Sequence, residues 1–156
     1  MDSSIGAIAP PSASFPEGTF HHVGFVVASI LGSVQGFIDV LQAEWDGIIF
    51  HDPNQMVRVT FLRGKHDGSP RLELVEPAAE NSPVVPFLKK GGGLHHLCYE
   101  VVNLEQQLAF CRSQGSLIAR PPLPAVAFGG RRIAWVYTKN KLLLEYLERW
   151  ERPAEL

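Results

Sequence analysis

The spacing of hydrophobic residues along the chain predicts a fold with more strands than helices. Short alternating or continuously apolar runs predict strands at 20–27, 46–51, 56–63, 71–76, 94–101, 117–119, 131–137 and 142–148. Apolar residues recur every three or four positions after Ser29 and after Asn103, which predicts two helices that each begin with a polar N-cap residue. The order of one strand, one helix and three strands therefore occurs twice.

The two halves also repeat each other in sequence. The segment Phe20-His21-His22-Val23-Gly24 corresponds to Leu94-His95-His96-Leu97-Cys98, so that His96 follows His22 by 74 residues. The segments around Glu73 and Glu145 correspond with a spacing of 72 residues. One His strand and one Glu strand in each half indicate a duplicated module, and they predict a shared site for two imidazoles and two carboxylates.

This repeat predicts an α+β fold in which two tandem βαβββ modules form one cupped, mixed β-sheet around a single metal site. Module 1 covers residues 19–77 and module 2 covers residues 93–149. The two modules must pack together, because each alone would have only a small core. A helix over 82–90 connects them, with Ser82 as its N-cap and Pro83 as its first residue.

Proline marks the segments outside this regular pattern. Residues 1–18 are rich in Pro and Ser and are expected to form a flexible leader, while residues 150–156 form a short tail. Residues 121–124 have the sequence Pro-Pro-Leu-Pro. We expect a loop there, because proline lacks the N–H donor that a central strand needs.

Composition argues against several classes of partner. The 156 residues carry a formal charge of −2 and no basic run, so we expect no nucleic-acid partner. The longest apolar stretches are far too short to cross a bilayer, and no export signal is visible, so we expect no membrane partner. Two cysteines do not make a disulfide framework, which favours the reducing cytoplasm. The oligomeric state stays open, with a homodimer as one option.

Strand alternation suggests which histidine of each doublet faces the cup of the sheet. The second histidine of each doublet shares its strand face with smaller or polar residues, and the first shares its face with larger apolar ones. Because successive side chains of a strand point to opposite faces, we expect His22 and His96 to face the cup. His21 and His95 are then expected to face the helices.

The Glu strands suggest why a metal would be needed. Alternation does not decide where Glu73 and Glu145 point, but Glu145 lies within the apolar run 142–147. Burying a carboxylate there is costly without a partner, and a divalent cation would supply one. Two imidazoles and two carboxylates suit Zn, Co, Ni, Mn or Fe(II) better than Ca or Mg. Such an ion acts as a Lewis acid on a carbonyl.

These motifs resemble those of the vicinal oxygen chelate superfamily, which includes glyoxalase I, methylmalonyl-CoA epimerase, extradiol dioxygenases and fosfomycin-resistance enzymes. The resemblance covers residues 19–149 as a single domain and is strongest to the methylmalonyl-CoA epimerases. It is carried by 20–24, 72–77, Ser82-Pro83, Phe87-Leu88, Gly91-Gly92-Gly93-Leu94-His95-His96 and Leu144-Glu145. The resemblance implies a paired βαβββ fold and one divalent metal held by His22, Glu73, His96 and Glu145. It also implies that Glu145 is catalytic.

One departure from the epimerase pattern concerns proton transfer. Some family members have a Glu at the position of Val59, and valine cannot move a proton. Either Glu100, Gln55 or a water molecule replaces that Glu, or the reaction is a different one. The loop before Arg131-Arg132 also lacks the family's histidine, and Arg131 could instead contact a phosphate of a CoA or carrier-protein arm. We therefore expect a substrate pocket that includes Val59, Cys98, Glu100 and Arg131.

Four functions compete. The first is a metal-dependent epimerase or isomerase that transfers a proton α to the carbonyl of a small acyl thioester, as methylmalonyl-CoA epimerase does. The second is a glyoxalase I-type lactoylglutathione lyase, although no residue set for glutathione is recognisable. An extradiol dioxygenase ranks low, because four protein ligands leave little room for catechol and oxygen. The fourth is a metal-free binding protein of the drug-resistance kind.

Overall fold

Each half of the chain folds into a strand, a helix and further strands, as the apolar pattern predicts. The computed structural model describes residues 17–150. Its elements are β1 (Gly18–Val26), α1 (Ile30–Leu41), β2 (Ala43–Trp45), β3 (Phe50–Asp52), β4 (Val57–Gly64), β5 (Arg71–Pro77), α2 (Val85–Lys89), β6 (Gly93–Val101), α3 (Leu104–Ser113), β7 (Leu117–Pro124), β8 (Arg132–Tyr137) and β9 (Leu143–Glu148). A single 3₁₀ turn, Val126–Phe128, precedes β8.

The strands form one mixed sheet in which the two modules meet at its centre. The strand order is β2-β4-β5-β1-β6-β9-β8-β7, with β3 paired to β4. β1 and β6 pair antiparallel, and each is flanked on its outer side by a parallel strand, β5 or β9. The predicted α+β fold of two βαβββ modules is thereby confirmed. The four strands that carry the His and Glu residues are adjacent.

The two long helices cover one face of the sheet. Ser29 caps α1 by accepting a hydrogen bond from the backbone N–H of Gly32, and Asn103 caps α3 by accepting one from Gln106. Ile30 of α1 packs with buried residues of β4 and β5. Leu104 of α3 packs with buried residues of β6, β8 and β9. The opposite face of the sheet is left free to line a cavity.

The strand predicted at 46–51 is wrong, because two short strands occur there. β2 ends at Trp45 and β3 begins at Phe50, and both pair with β4. Gly47 adopts a positive φ of 80°, and the side chain of Asp46 accepts a hydrogen bond from the backbone N–H of Ile48. This turn breaks the run of apolar residues into two strands.

The prediction of a loop at 121–124 is also wrong. β7 extends through this segment to Pro124 and pairs with β8, with register shifts on the way. β7 is the last strand of the sheet that residues 17–150 form, so no strand of this part of the chain pairs with its outer side and needs a proline to donate. The prolines therefore mark an edge strand, a place where they are tolerated.

The connecting helix is shorter than the predicted 82–90. α2 begins only at Val85, and the hydroxyl of Ser82 has no hydrogen-bond partner, so Ser82 is not its N-cap. Instead, the backbone carbonyl of Ser82 accepts from the N–H of Val85 in a turn. Pro83 and Val84 lie before the helix and line the cavity described below.

The predicted leader and tail fall mostly outside the described residues. Gly18, assigned to the leader, is already the first residue of β1, and residues 1–16 and 151–156 are not described. Within residues 17–150, none of the helices combines the length and the apolar character needed to cross a bilayer.

The packing of α3 can be tested by truncating Leu104, which is fully buried against the sheet. Leu104→Ala should lower the free energy of unfolding by about 2–5 kcal/mol, since it removes buried methyl groups and leaves a cavity. Leu117→Ala is the control, because this side chain is 65% exposed and its loss should change stability by less than about 0.5 kcal/mol. Urea unfolding followed by circular dichroism measures both. Equal losses would contradict this packing.

Candidate metal centre

Four side chains from the central strands converge on one point inside the cup. His22 Nε2 lies 3.2 Å from His96 Nε2. Glu73 Oε2 lies 3.3 Å from His22 Nε2 and 3.2 Å from His96 Nε2. Each oxygen of Glu145 lies 3.9 Å from one of these nitrogens. All four residues are buried. The structure therefore brings together the four residues that the resemblance implied as ligands.

The strand register explains why these rings and carboxylates fit. His96 of β6 lies opposite Gly24 of β1, and Gly24 in turn lies opposite Glu73 of β5. In the other module, His22 lies opposite Cys98, which lies opposite Glu145 of β9. A Cβ at position 24 would come within 2.0 Å of the His96 ring. Because Gly24 has no side chain, the His96 ring can occupy this space.

One aromatic residue from each outer strand supports each histidine. The Phe61 ring of β4 meets the His22 ring edge-on, with centroids 5.6 Å apart. The Trp135 ring of β8 meets the His96 ring in the same way at 4.7 Å. Phe61 and Trp135 lie opposite Glu73 and Glu145 in their strand pairs, respectively. The duplication thus extends beyond the converging groups to the residues that pack against them.

The cluster fits a divalent transition metal on three observations. Two ligands that each lie about 2.1 Å from one ion are at most about 4.2 Å apart, and the five distances above are all shorter than that. Glu145 Oε1 is buried, and no group among residues 17–150 forms a hydrogen bond with it. The two Nε2 atoms face each other, although two lone pairs repel unless a proton or a cation lies between them. The metal-binding role itself stays a prediction.

The two buried carboxylates have opposite electrostatic environments. Burial would raise the pKa of Glu73, but His22 and His96 hold it well below its ordinary value. Burial and the nearby Glu73 charge raise the pKa of Glu145. Burial would lower the pKa of His22, yet Glu73 raises it. A central cation would favour the charged form of both carboxylates, because it offsets their mutual repulsion.

A second group of possible ligands consists of His21, His22 and Cys98, whose donor atoms also lie within 4.8 Å of one another. This set has three members and only one that can become an anion, whereas the set with Glu73 and Glu145 has two carboxylates. Burial, followed by the charge of Glu145, raises the pKa of the Cys98 thiol well above its ordinary value. The four-residue set is therefore the better candidate.

The expectation that His21 and His95 face the helices is wrong. The pairing of β1 with β6 shifts register between Phe20 and His22 and again between Gly24 and Phe25. His21 and His95 are the extra residues of two β-bulges, which interrupt the alternation of side chains. Both rings of each doublet consequently share one aromatic neighbour, Phe128 for the first and Trp135 for the second.

Beside the cluster lies a cavity of about 290 Å³. Its walls are mainly apolar, and Glu73, His96 and Glu145 form part of them. The polar side chains elsewhere in the lining are Asp52, Gln55, His95 and Arg120. A cavity of this size, with apolar walls and few polar groups, is typical of a binding site for a small molecule.

Asp52 joins the two loops that close the cavity. Its Oδ1 accepts hydrogen bonds from the backbone N–H groups of Asn54 and Gln55, and its Oδ2 accepts one from Val126. Asp52 and Gln55 belong to module 1, whereas Val126 belongs to module 2. The carboxylate therefore links the two parts of the chain that form this side of the cavity wall.

The model of the glyoxalase/bleomycin resistance protein/dioxygenase superfamily matches residues 21–135. The chain belongs to this superfamily. It is 36% identical to the uncharacterized protein YqjC of Bacillus subtilis over 135 residues, which cover 81% of this chain and 89% of that protein. It is 26% identical to the ethylmalonyl-CoA/methylmalonyl-CoA epimerase of Cereibacter sphaeroides over 125 residues, with coverage of 79% and 90%.

A solved structure supports the same assignment. The crystal structure of methylmalonyl-CoA epimerase from Mycobacterium tuberculosis is 25% identical, with a TM-score of 0.68 and coverage of 90% of this chain and 93% of that one. The resemblance to this superfamily and to its methylmalonyl-CoA epimerases, predicted from the motifs, is thereby confirmed.

Only one of the four predicted pocket residues lines the cavity beside the cluster. Val59 lines it, but Cys98, Glu100 and Arg131 do not. Cys98 is fully buried in a cluster with Ala125, Ile133 and Leu147. Glu100 accepts hydrogen bonds from Arg131 and Arg149, so the guanidinium expected to bind a phosphate is engaged in an ion pair.

The sequence reasoning missed much of the cavity lining, including the polar residues His95 and Arg120. His95 was assigned to the helix side because alternation was assumed to be strict, and the bulge that reverses this has no clear sequence signal. Arg120 lies just before the prolines that were interpreted as a loop, and it faces the cavity with Gln55 3.5 Å away. The doublet itself was the only signal that could have indicated His95.

Gly24→Ala tests whether the glycine makes room for the cluster. The new Cβ would force the His96 ring away, so affinity for Co²⁺ should fall by on the order of 100-fold. Gly18→Ala is the control on the same strand, since its Cβ would have no neighbour nearer than 3.5 Å. Isothermal titration calorimetry measures the affinity, and circular dichroism checks the fold. Unchanged affinity in Gly24→Ala would contradict the cluster geometry.

Proposed function

We propose that this protein is a metal-dependent epimerase or isomerase that moves a proton on the carbon α to the carbonyl of a small acyl thioester. Its partner would be a small molecule such as methylmalonyl-CoA. The names of its relatives support this reaction, although the named epimerase of Cereibacter sphaeroides is only 26% identical. The observation that carries the proposal is the unpartnered carboxylate oxygen of Glu145, in a residue that lines the cavity.

The four converging residues would hold the metal. His22, Glu73, His96 and Glu145 offer nitrogen and oxygen donors that suit Co, Ni, Mn, Zn or Fe(II). When bound, such an ion supplies a Lewis acid that draws electron density from a substrate carbonyl and so acidifies the adjacent C–H.

The residues of the cavity would orient the acyl group and exclude water. Val59, Val75 and Ile133 give the lining an apolar surface, which suits a small acyl chain better than a sugar or a peptide. A carboxylate in such surroundings is poorly hydrated and is therefore a stronger base than in water. Glu145 would remove the α proton from one face of the substrate with one of its carboxylate oxygens, and in the reverse reaction it would donate a proton to that same face.

Inversion at the α carbon needs a second proton carrier on the opposite face. Val59 cannot serve, and Glu100 is excluded because it lies outside the cavity in an ion pair. Gln55 and Arg120 are polar, contact each other and line the same cavity. Water held by these two side chains would supply the second carrier.

The proposed reaction suits a protein of the cytoplasm. Cys98 and Cys111 are both free thiols, as expected in the reducing cytoplasm, where we place its action. A reaction on a soluble thioester also requires neither a membrane nor a nucleic acid.

Deuterium exchange tests the reaction directly. Metal-loaded protein in D₂O should exchange the C2 hydrogen of methylmalonyl-CoA or a related acyl-CoA, followed by NMR or mass spectrometry. Glu145→Gln should lower the exchange rate by about 10²–10⁴-fold, because an amide cannot accept the proton. Its metal content should be measured alongside, since Glu145 is also a proposed ligand.

Glu148→Gln is the matched control on the same strand. Glu148 forms an ion pair with Arg132 and does not line the cavity, so its loss should leave the exchange rate nearly unchanged. No exchange by the wild-type protein with any small acyl-CoA would contradict the proposed function. Turnover of lactoylglutathione without acyl-CoA exchange would favour the lyase instead.

A further inference from the structure

The histidine that precedes each proposed ligand is placed identically in the two modules. His21 and His95 are both extra residues of β-bulges in the pairing of β1 with β6. His21 Nδ1 lies 2.9 Å from His22 Nδ1, and His95 Nδ1 lies 2.9 Å from His96 Nδ1. Each cluster histidine therefore points Nε2 at the cluster and Nδ1 at its neighbour in the doublet.

We propose that His21 and His95 are positioning residues that each accept a hydrogen bond from the Nδ1–H of the next histidine. Each would thereby fix the ring orientation and the tautomer of a metal ligand. This inference rests on the proposed metal site but not on the proposed acyl-thioester reaction.

The number of N–H groups on a neutral imidazole determines which Nδ1 atom donates in each of these hydrogen bonds. A neutral imidazole carries one N–H, and a nitrogen that binds a cation does so through its lone pair. With Nε2 of His22 and His96 facing the cluster, the proton of each ring must be on Nδ1. The neighbouring Nδ1 must then accept, which places the proton of His21 and His95 on Nε2. A partner that fixes the tautomer of a metal-binding histidine typically strengthens metal binding.

The neighbouring side chains hold the His95 ring more firmly than the His21 ring. The His95 ring lies between Phe87 of α2, at 4.8 Å between centroids, and Trp135 of β8, at 6.0 Å. His21 packs on Phe128 at 5.5 Å, but the exposed Arg71 has Nη1 at 3.2 Å from His21 Nε2. A guanidinium only donates, so in the proposed tautomer Arg71 must turn towards solvent. We therefore expect His95 to contribute more to metal affinity than His21.

Paired substitutions at His95 separate the acceptor from the ring. His95→Phe keeps an aromatic ring between Phe87 and Trp135 but removes the acceptor, so the Kd for Co²⁺ should rise by about 10–100-fold. His95→Asn places an amide oxygen near the position of Nδ1 and should recover most of this loss. His66→Phe is the control, because His66 is exposed in the loop between β4 and β5. Isothermal titration calorimetry measures Kd for each variant.

A second measurement needs no substitution. In Zn²⁺-loaded wild-type protein with ¹⁵N-labelled histidine, NMR should show His22 and His96 protonated at Nδ1 and His21 and His95 protonated at Nε2. A scalar coupling between the two Nδ1 atoms of a doublet would show the hydrogen bond itself. Protonation of His95 at Nδ1 would overturn the proposal.

These experiments distinguish the positioning role of His95 from the proposed metal site and from the proposed reaction. If the wild type binds metal but His95→Phe binds equally well, or His95→Asn is as weak as His95→Phe, the positioning role is wrong and the metal site stands. If the wild type binds no metal, both are wrong. Failure of C2 exchange in a metal-loaded protein would overturn only the proposed reaction.

Discussion

The register between β1 and β6 is the constraint on which the site depends. It places His96 against Gly24 and His22 against Cys98, so that both imidazoles lie over a small residue at the centre of the sheet. A slip by one residue would send these side chains to the helix face. The parallel strands β5 and β9 then bring Glu73 and Glu145 to the same point from either side. Each half packs its own helix against the sheet, and the two halves meet at the shared cluster on the opposite face.

Much of this arrangement could be predicted from the sequence, because duplication leaves a signal that a single motif does not. The spacing of the His and Glu strands predicted which strands meet, strand alternation selected His22 and His96, and the resemblance to the superfamily supplied the full set of four. The N-cap residues Ser29 and Asn103 predicted where two helices begin. Alternation alone did not decide where Glu73 and Glu145 point. Their burial follows from the pairing of four strands that are distant in sequence, which is a tertiary property.

The incorrect predictions have local physical causes. Alternation fails at His21 and His95 because a bulge adds one residue to a strand, and no residue type demands a bulge there. The loop predicted at 121–124 is an edge strand, and position in the sheet cannot be read from proline content. Glu100 and Arg131 were expected in the pocket, but they satisfy each other in an ion pair outside it. The cavity wall combines interior-strand residues such as Val59 and Ile133 with residues of a turn and an edge strand, such as Gln55 and Arg120. Local sequence rules are weakest for the latter kind.

The duplicated residues alone do not select a substrate, because they make the two sides of the cavity alike. Val59 and Ile133 occupy matching positions on β4 and β8, and both give the cavity apolar walls. The polar groups that distinguish one side from the other are Gln55 and Arg120, which belong to different modules. Selectivity for a substrate would arise from such unrepeated residues, whereas the four proposed ligands, Phe61 and Trp135 follow the repeat.

X-ray absorption spectroscopy of the Co²⁺-loaded protein, combined with metal analysis, shows whether the four-residue cluster binds the ion. We expect one ion per chain, bound by two imidazoles and by carboxylate oxygens, with no sulfur ligand. Binding well below one ion per chain would contradict it. So would a Co–S distance, which would place the ion at Cys98 with His21 and His22 instead of at the four-residue cluster.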